Sequence, residues 1–192
     1  MPWRVVRFAL GVVAGGLLWW SCGNAWNHAL AFITQPLVKI DARLRDGHLA
    51  AIGHTIVVQP TRDTLPQATI PADQLTFNVI LLVALFASNR KPFSDRNMKA
   101  FAIAFAVVLL LQAVGLFISI ESTYANQQDV WSDQHYGDTA AQIWIKAEIF
   151  WRLIGMFGVV FAAWWVGSEG SSSHALGAPS PRAAGRGSAE RG

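Results

Sequence analysis

The chain has 192 residues, of which 53% are hydrophobic and only 14% charged, with nine tryptophans, a mean hydropathy of +0.33 and a formal net charge of +3. That skew, with the apolar residues gathered in blocks, excludes an ordinary soluble domain, and the thin scatter of basic residues argues against a nucleic-acid surface. A single cysteine, Cys22, excludes an internal disulfide and any cysteine-cluster metal site.

The first apolar block is Val5 to Cys22. Arg7 can snorkel toward one interface and Trp19 and Trp20 suit the other, so the block reads as a retained transmembrane helix. Bulky indoles before Ser21 and Cys22 disfavour a signal-peptidase or lipoprotein cleavage site. Within this block Gly11, Gly15 and Gly16 form a small-residue stripe on which a second helix can approach closely. Trp26, Ala29, Leu30, Ile33 and Leu37 continue at helical steps, so residues 1–36 comprise the helix plus an extension that either lies on the membrane surface or prolongs the helix beyond it.

Residues 37–74 are polar enough to leave the bilayer and carry strand-like pieces, Leu49 to Gln59 around HTIVVQ and a weaker one near Ala68 to Pro71. Pro60, Pro66 and Pro71 forbid a long helix here, and so short a segment needs another surface to complete its core. His48 and His54 share a face if the first piece is one strand, but they lack a carboxylate to complete a metal site.

Residues 75–166 hold three more apolar segments. Leu75 to Ser88 spans only about 21 Å as a helix and requires neighbours to complete a crossing. After the polar turn Asn89 to Lys99, in which Ser94 is positioned as a helix cap, Phe101 to Ile120 runs for twenty residues with Gln112 and Ser119 as its only polar side chains. At 1.5 Å per residue this reaches about 30 Å, the thickness of the hydrocarbon core. An outer loop at 121–142 follows, where Trp131, His135 and Tyr136 are expected to form an interfacial or partner-docking patch. Ile143 to Val166 closes the set, with Trp144 and the Trp164–Trp165 pair about 30 Å apart as two aromatic belts. Residues 167–192 turn to Gly, Ser, Ala, Pro and Arg, the composition of a disordered tail.

The fold expected is therefore a membrane all-α protein, a four-transmembrane-helix bundle with a small extracytoplasmic β-containing segment. Arg4, Arg7, Arg90, Lys91, Arg96, Lys99, Arg182, Arg186 and Arg191 flank one side, whereas Lys39, Arg43, Arg45 and Arg62 are diluted in a long loop and Glu121 to Gln142 has no Lys or Arg. The positive-inside rule then places both termini in the cytoplasm and residues 37–74 and 121–142 outside, in the periplasm if the membrane is a bacterial inner membrane.

Polar groups from the helices converge in depth. Arg152 lies about 20 Å from Trp165, Gln112 about 18 Å beyond Ala100, Asn78 about 16 Å beyond Asn89, and Ser21 and Cys22 about 20 Å beyond Arg7. Glu148 and Arg152, four apart on one helix, are spaced for an ion pair. An unpaired ion in hydrocarbon costs at least about 2.5 kcal/mol, so Asn78, Gln112, Glu148 and Arg152 are expected to form one intramembrane cluster, either locking the helices or binding a ligand. Cys22 and His28, six residues apart, would point to different helix faces and do not make a thiol–base pair. The chain has no glycine-rich phosphate loop, HExxH or GxSxG. No cofactor or metal is implied.

An N-terminal anchor, a small β-containing outer segment, a close helical hairpin carrying LLVALFAS and then LLLQAVG, and an outer acidic loop before the last helix together resemble the exosortase H-associated membrane proteins. The likeness covers about residues 5 to 166, and its most specific pieces are Leu81 to Ala87 and Gln112, Ala113, Val114 and Gly115. The last helix, IFWRLIGMFGVVFAAWW, departs from the family in carrying no proline. The resemblance implies a noncatalytic accessory of a bacterial exosortase-type sorting system, with membrane lipid and an exosortase or another membrane protein as partners and no nucleic acid. It transfers no catalytic residue. The alternative is a small membrane enzyme or transporter that uses the polar cluster.

Overall fold

The structure is a computed structural model that describes residues 2–62 and 65–169. It is mostly helical, with one small sheet. The order is α1 (Pro2–Ile40), β1 (Gly47–Ile52), β2 (Thr55–Pro60), β3 (Ala68–Pro71), α2 (Asp73–Thr76), α3 (Asn78–Ala87), α4 (Asp95–Asn126), α5 (Asp129–His135), α6 (Asp138–Phe150), a π-helical turn (Trp151–Gly155) and α7 (Met156–Glu169). The expected disordered tail falls almost wholly outside the described residues, as do Arg182, Arg186 and Arg191.

Among the described residues, three helical stretches are long and apolar enough to cross a membrane: Trp3–Ile40, Asp95–Asn126 and Asp138–Gly167. The remaining apolar stretch, Asp73–Ala87, is shorter. It is also divided: α2 ends at Phe77 and α3 contributes ten residues, about 15 Å of rise. Four full-length spans are thus not what the chain builds on its own; the short segment is nested among longer ones.

Its neighbour is α1, in antiparallel register. A Cβ at Gly11 would stand 2.7 Å from the Ala84 Cα, and one at Gly15 would stand 3.0 Å from the Ile80 Cα. Farther up, Trp19 Nε1 donates to Thr76 Oγ1 at 3.1 Å, and at the lower end Arg7 Nη1 donates to the carbonyls of Asn89 and Arg90. The glycines at positions 11 and 15 let the two backbones meet. Gly16 belongs to a different face: nothing lies within 4 Å of the site its Cβ would occupy. One residue beyond Gly15 is about 100° around the helix, so it leaves the stripe to which the sequence assigned it.

α1 does not stop at Cys22. It runs on through Pro36 to Ile40, so the extension is a prolonged helix. Its upper half supports the sheet: Gln35 donates to the Gly47 carbonyl and accepts from the Leu49 amide, and Asn27 donates to the Gly53 carbonyl. The piece expected as a single strand from Leu49 to Gln59 is an antiparallel hairpin, β1 against β2, turning at Gly53 and His54, with Gly53 at a φ of 59°. Gly supplies that left-handed turn without steric cost. The turn places His48 in β1 and His54 outside either strand, so the shared face expected of them is lost. β3 joins the other side of β2, giving the order β1-β2-β3.

Two cores result. The upper one gathers Leu30 and Val38 of α1, Ile56, Val58 and Ile70 of the sheet, and Leu116, Ile120 and Tyr124 of α4. The lower one gathers Leu82, Leu85 and Phe86 of α3, Ala104 and Val108 of α4, and Val160 of α7. α4 opens at Ser94, whose side chain accepts from the Asn97 amide as the cap spacing implies. Gly167 lies against Phe86 and Ala100, so both described ends of the chain sit at the lower end of the bundle. Leu10, Val13, Leu17, Ile103, Leu110, Leu153 and Trp165 face outward, a girdle of apolar surface far more extensive than a soluble monomer shows.

Candidate functional site

Between the two cores lies a chain of amides. Asn78 opens α3 just after the break at Phe77, and Gln112 sits midway along the apolar run of α4; they are 2% and 1% exposed. Gln112 Nε2 donates to Asn78 Oδ1 at 2.5 Å, Trp26 Nε1 donates to Gln112 Oε1 at 2.9 Å, and Asn78 Nδ2 donates to the Met156 carbonyl at 3.3 Å. Four helices are tied together by one short path. Each amide uses both its donor and its acceptor side, or borrows a backbone carbonyl, which is the condition for burying it.

Glu148 and Arg152 form the ion pair their spacing implies, Arg152 Nη2 to Glu148 Oε1 at 2.7 Å. They do not join the amide chain. Arg152 Nη1 donates instead to Gln74 Oε1 at 2.8 Å, just ahead of the break between α2 and α3. The four residues expected as one cluster therefore separate into a buried pair, Asn78 with Gln112, and a part-exposed pair, Glu148 with Arg152. Met156 touches both, because its carbonyl accepts from Asn78 and its side lines the cleft beside Arg152.

Just beyond Glu148 the helix leaves α geometry in a π-helical turn at Trp151–Gly155. An i→i+5 turn inserts an extra residue and rotates everything after it, a device found often at functional sites. Here it lays the Trp151 indole across Gly115 of α4: a Cβ at Gly115 would overlap Trp151 Nε1 and one at Gly155 would stand 2.6 Å from Trp151 Cε3. With Trp151 turned inward, Arg152 is swung to the side, its side chain 38% exposed.

Arg152 stands where two clefts meet. The first, about 450 Å³, is lined by Trp19, Asp73, Gln74, Phe77, Arg152 and Met156. The second, about 360 Å³, is lined by Ser122, Asn126, Gln127, Ile145, Glu148, Ile149 and Arg152. The guanidinium is fixed by two partners while its Nε, buried, has none among the described residues. The guanidinium is thus held in place as half of a charge pair with Glu148, its Nη donors facing the clefts.

A second polar knot closes the upper end. Glu121, the first residue beyond the apolar run of α4, is wholly buried; Tyr136 OH donates to its Oε2 at 2.7 Å and Arg43 Nη2 stands 3.5 Å from the same oxygen. Arg43 also pairs with Asp41 at 2.7 Å and lies over the Tyr136 ring, 4.2 Å from its centroid. Burial pushes the Asp41 carboxyl up, but the side-chain and backbone hydrogen bonds from Arg43 outweigh it and hold the group at about 2. Burial likewise pushes the Tyr136 phenol well above its usual value. This knot joins the end of α1 to α4 and to the α5–α6 connection. Tyr136, expected in a surface patch, is inside; Trp131 stacks on His135 at 4.2 Å.

Cys22 and His28 are both exposed on α1. Among the described residues no group of three or more His, Cys, Asp or Glu is arranged to hold a metal ion. Gln74, Trp26 and the Asp41–Arg43–Glu121–Tyr136 knot were not legible as site residues. Their partners are distant in sequence and no spacing rule connects them, although a glutamate directly after an apolar run is a visible oddity. No protein-family model, curated protein or solved structure matches the chain.

Proposed function

We propose that this chain is a multi-pass protein of a bacterial inner membrane, with cytoplasmic termini and α2–α3 as a short fourth crossing, that serves as a noncatalytic accessory of an exosortase-type protein-sorting system. The three long apolar helices support the membrane reading, and the antiparallel register of α3 on α1 supports a fourth passage. The sorting role rests on the family resemblance of residues 5 to 166.

One observation carries the binding role: the Glu148–Arg152 pair forms part of the wall of the second cleft, with Ser122, Asn126 and Gln127 opposite. These side chains project from helices and offer donors, acceptors and one fixed charge pair. That is a surface for recognising a polar or charged segment of another membrane protein.

The experiment is site-specific photocrosslinking in native membranes from position 126 or 149. The expected product is a covalent adduct with a larger membrane protein, lost in Glu148→Gln with Arg152→Gln. Adducts with lipid or with a second copy alone, together with unimpaired sorting in a deletion strain, would remove the proposal.

A further inference from the structure

The first cleft has a chemistry of its own. Its floor and walls are Trp19 of α1, Phe77 at the α2–α3 break and Met156 of α7; Phe77 is held edge-on by Phe157 at 5.8 Å. Its lining carries both signs of charge, the Arg152 guanidinium, one edge of which is already paired with Glu148 at 2.7 Å, and the Asp73 carboxylate. Asp73 Oδ1 accepts from the Gln74 amide at 2.9 Å, and no ion pair involving Asp73 appears among the described residues.

The cleft also has a definite height. Trp19, hydrogen-bonded to Thr76, and Trp20, 6.2 Å from the His54 ring, mark the level at which α1 meets the base of the sheet. Tryptophans concentrate where hydrocarbon gives way to headgroups. From Arg7 to Trp19 the rise is about 18 Å and from Asn89 to Gln74 about 22 Å, so on this flank the apolar belt is thinner than the usual 30 Å or so. A bilayer meeting a short apolar segment thins locally, which brings headgroups down to Asp73 and Arg152.

We infer that this cleft is a binding site for one outer-leaflet glycerophospholipid with a phosphoethanolamine headgroup, its phosphate on Arg152, its ammonium on Asp73 and its acyl chains along Phe77 and Met156. Charge complementarity selects the occupant. A lipid with a single negative headgroup leaves Asp73 facing another anion. A trimethylammonium headgroup is cationic but has no N–H to give the carboxylate. The volume, about 450 Å³, lies within the range of small-molecule sites. The site stands whether or not the sorting role does, since its ligand is a component of the membrane itself.

The test uses the full-length protein, purified in mild detergent, stripped of lipid and titrated with dioleoyl phosphatidylethanolamine, phosphatidylglycerol or phosphatidylcholine, with bound lipid read by native mass spectrometry. One phosphatidylethanolamine is expected to be retained at least fivefold over the other two. Asp73→Asn should abolish the preference over phosphatidylglycerol, and Phe32→Ala, on a remote exposed position of α1, should change nothing. Arg152→Gln should weaken all three lipids; should it fail to fold, with Glu148 left unpaired, Asp73→Asn decides alone. Equal retention of the three lipids by the unmodified protein, an unaltered preference in Asp73→Asn, or displacement of the lipid by equimolar free phosphoethanolamine would each overturn the assignment.

Discussion

The indole Nε1 of Trp26 reaches across from α1 to Gln112 Oε1 at 2.9 Å, and so converts a lone amide in an apolar helix into the centre of a four-helix junction. Gln112 is also the donor to Asn78. Replacing it with leucine keeps the volume roughly constant but strands the Trp26 N–H and the Asn78 carbonyl oxygen, each deprived of its partner. Leaving a buried polar group unsatisfied costs about 1–3 kcal/mol. Gln112→Leu should therefore unfold at a lower denaturant fraction in mixed micelles, with a loss in that range. Adding Asn78→Leu and Trp26→Phe should recover part of it, because removing all partners leaves nothing to satisfy. A Gln112→Leu protein as stable as the parent would show that the junction contributes only packing.

Gly115 and Trp151 make a second junction, and it depends on the absence of a side chain. A methyl group at position 115 would overlap the indole nitrogen, and the indole cannot retreat because Gly155 holds its other edge. Overpacking of this kind costs about 1–3 kcal/mol. Gly115→Ala should lose that much in reversible unfolding, and Trp151→Leu in the same chain should restore most of it. Gly16→Ala, where the space is open, should lose nothing and gain up to about 1 kcal/mol, because alanine is the better helix former. Since alanine is the better helix former at both positions, a Gly115→Ala protein as stable as Gly16→Ala would show that the indole does not crowd position 115.

These two junctions also show where sequence reading stops. The apolar runs, the Ser94 cap, the Gly11–Gly15 contact and the Glu148–Arg152 pair all follow from local spacing, and the structure places them as spacing implies. The convergence of Gln112 with Asn78 also came from counting residues inward along each helix. Counting gives depth and not facing, so it groups Arg152 with them although its guanidinium turns to Gln74 and Glu148. Nothing in WRLIG announces the π-helical turn at that point, nor that its Trp151 packs onto Gly115, a contact between segments 36 residues apart. Likewise, Leu49 to Gln59 alternates and branches as one strand, and only the sheet reveals that Gly53 turns it back.

The upper knot makes a prediction about charge. Among the described residues Arg43 is the cation beside the wholly buried Glu121, and truncating it leaves that carboxyl with Tyr136 and the Asp41 carboxyl, and no positive charge. Breaking a buried pair costs about 3–5 kcal/mol, and the part-exposed Arg43 at 3.5 Å puts this case at the low end. Arg43→Ala should thus lose about 3 kcal/mol, and Arg43→Ala with Glu121→Gln should lose less than Arg43→Ala alone. Proteolysis between α5 and α6 gives a local readout, since Tyr136 is anchored there by the same carboxyl. Should the double variant be no better than the single one, Arg43 contributes through its pair with Asp41 and its stacking on Tyr136, and not through Glu121.

Asp41 supplies the acid-side dependence of the same region. Its carboxyl sits at about 2 in the folded protein against an ordinary 3.8, because the Arg43 hydrogen bonds outweigh the opposing effect of burial. A folded-state value below the unfolded one means that the unfolded chain binds the proton more readily, so folding is favoured once the group is ionised in both states. The contribution is complete above the ordinary carboxylate range and drains away as pH falls from about 4 through about 2. Comparing Asp41→Asn with the parent by denaturant unfolding at several pH values isolates the effect. The parent should be the more stable of the two at pH 6 and the gap should be nearly closed at pH 2. A gap that stays the same from pH 6 to pH 2 would assign Asp41 a purely conformational role, in which its oxygen caps the Arg43 amide at 2.8 Å whether or not it carries charge.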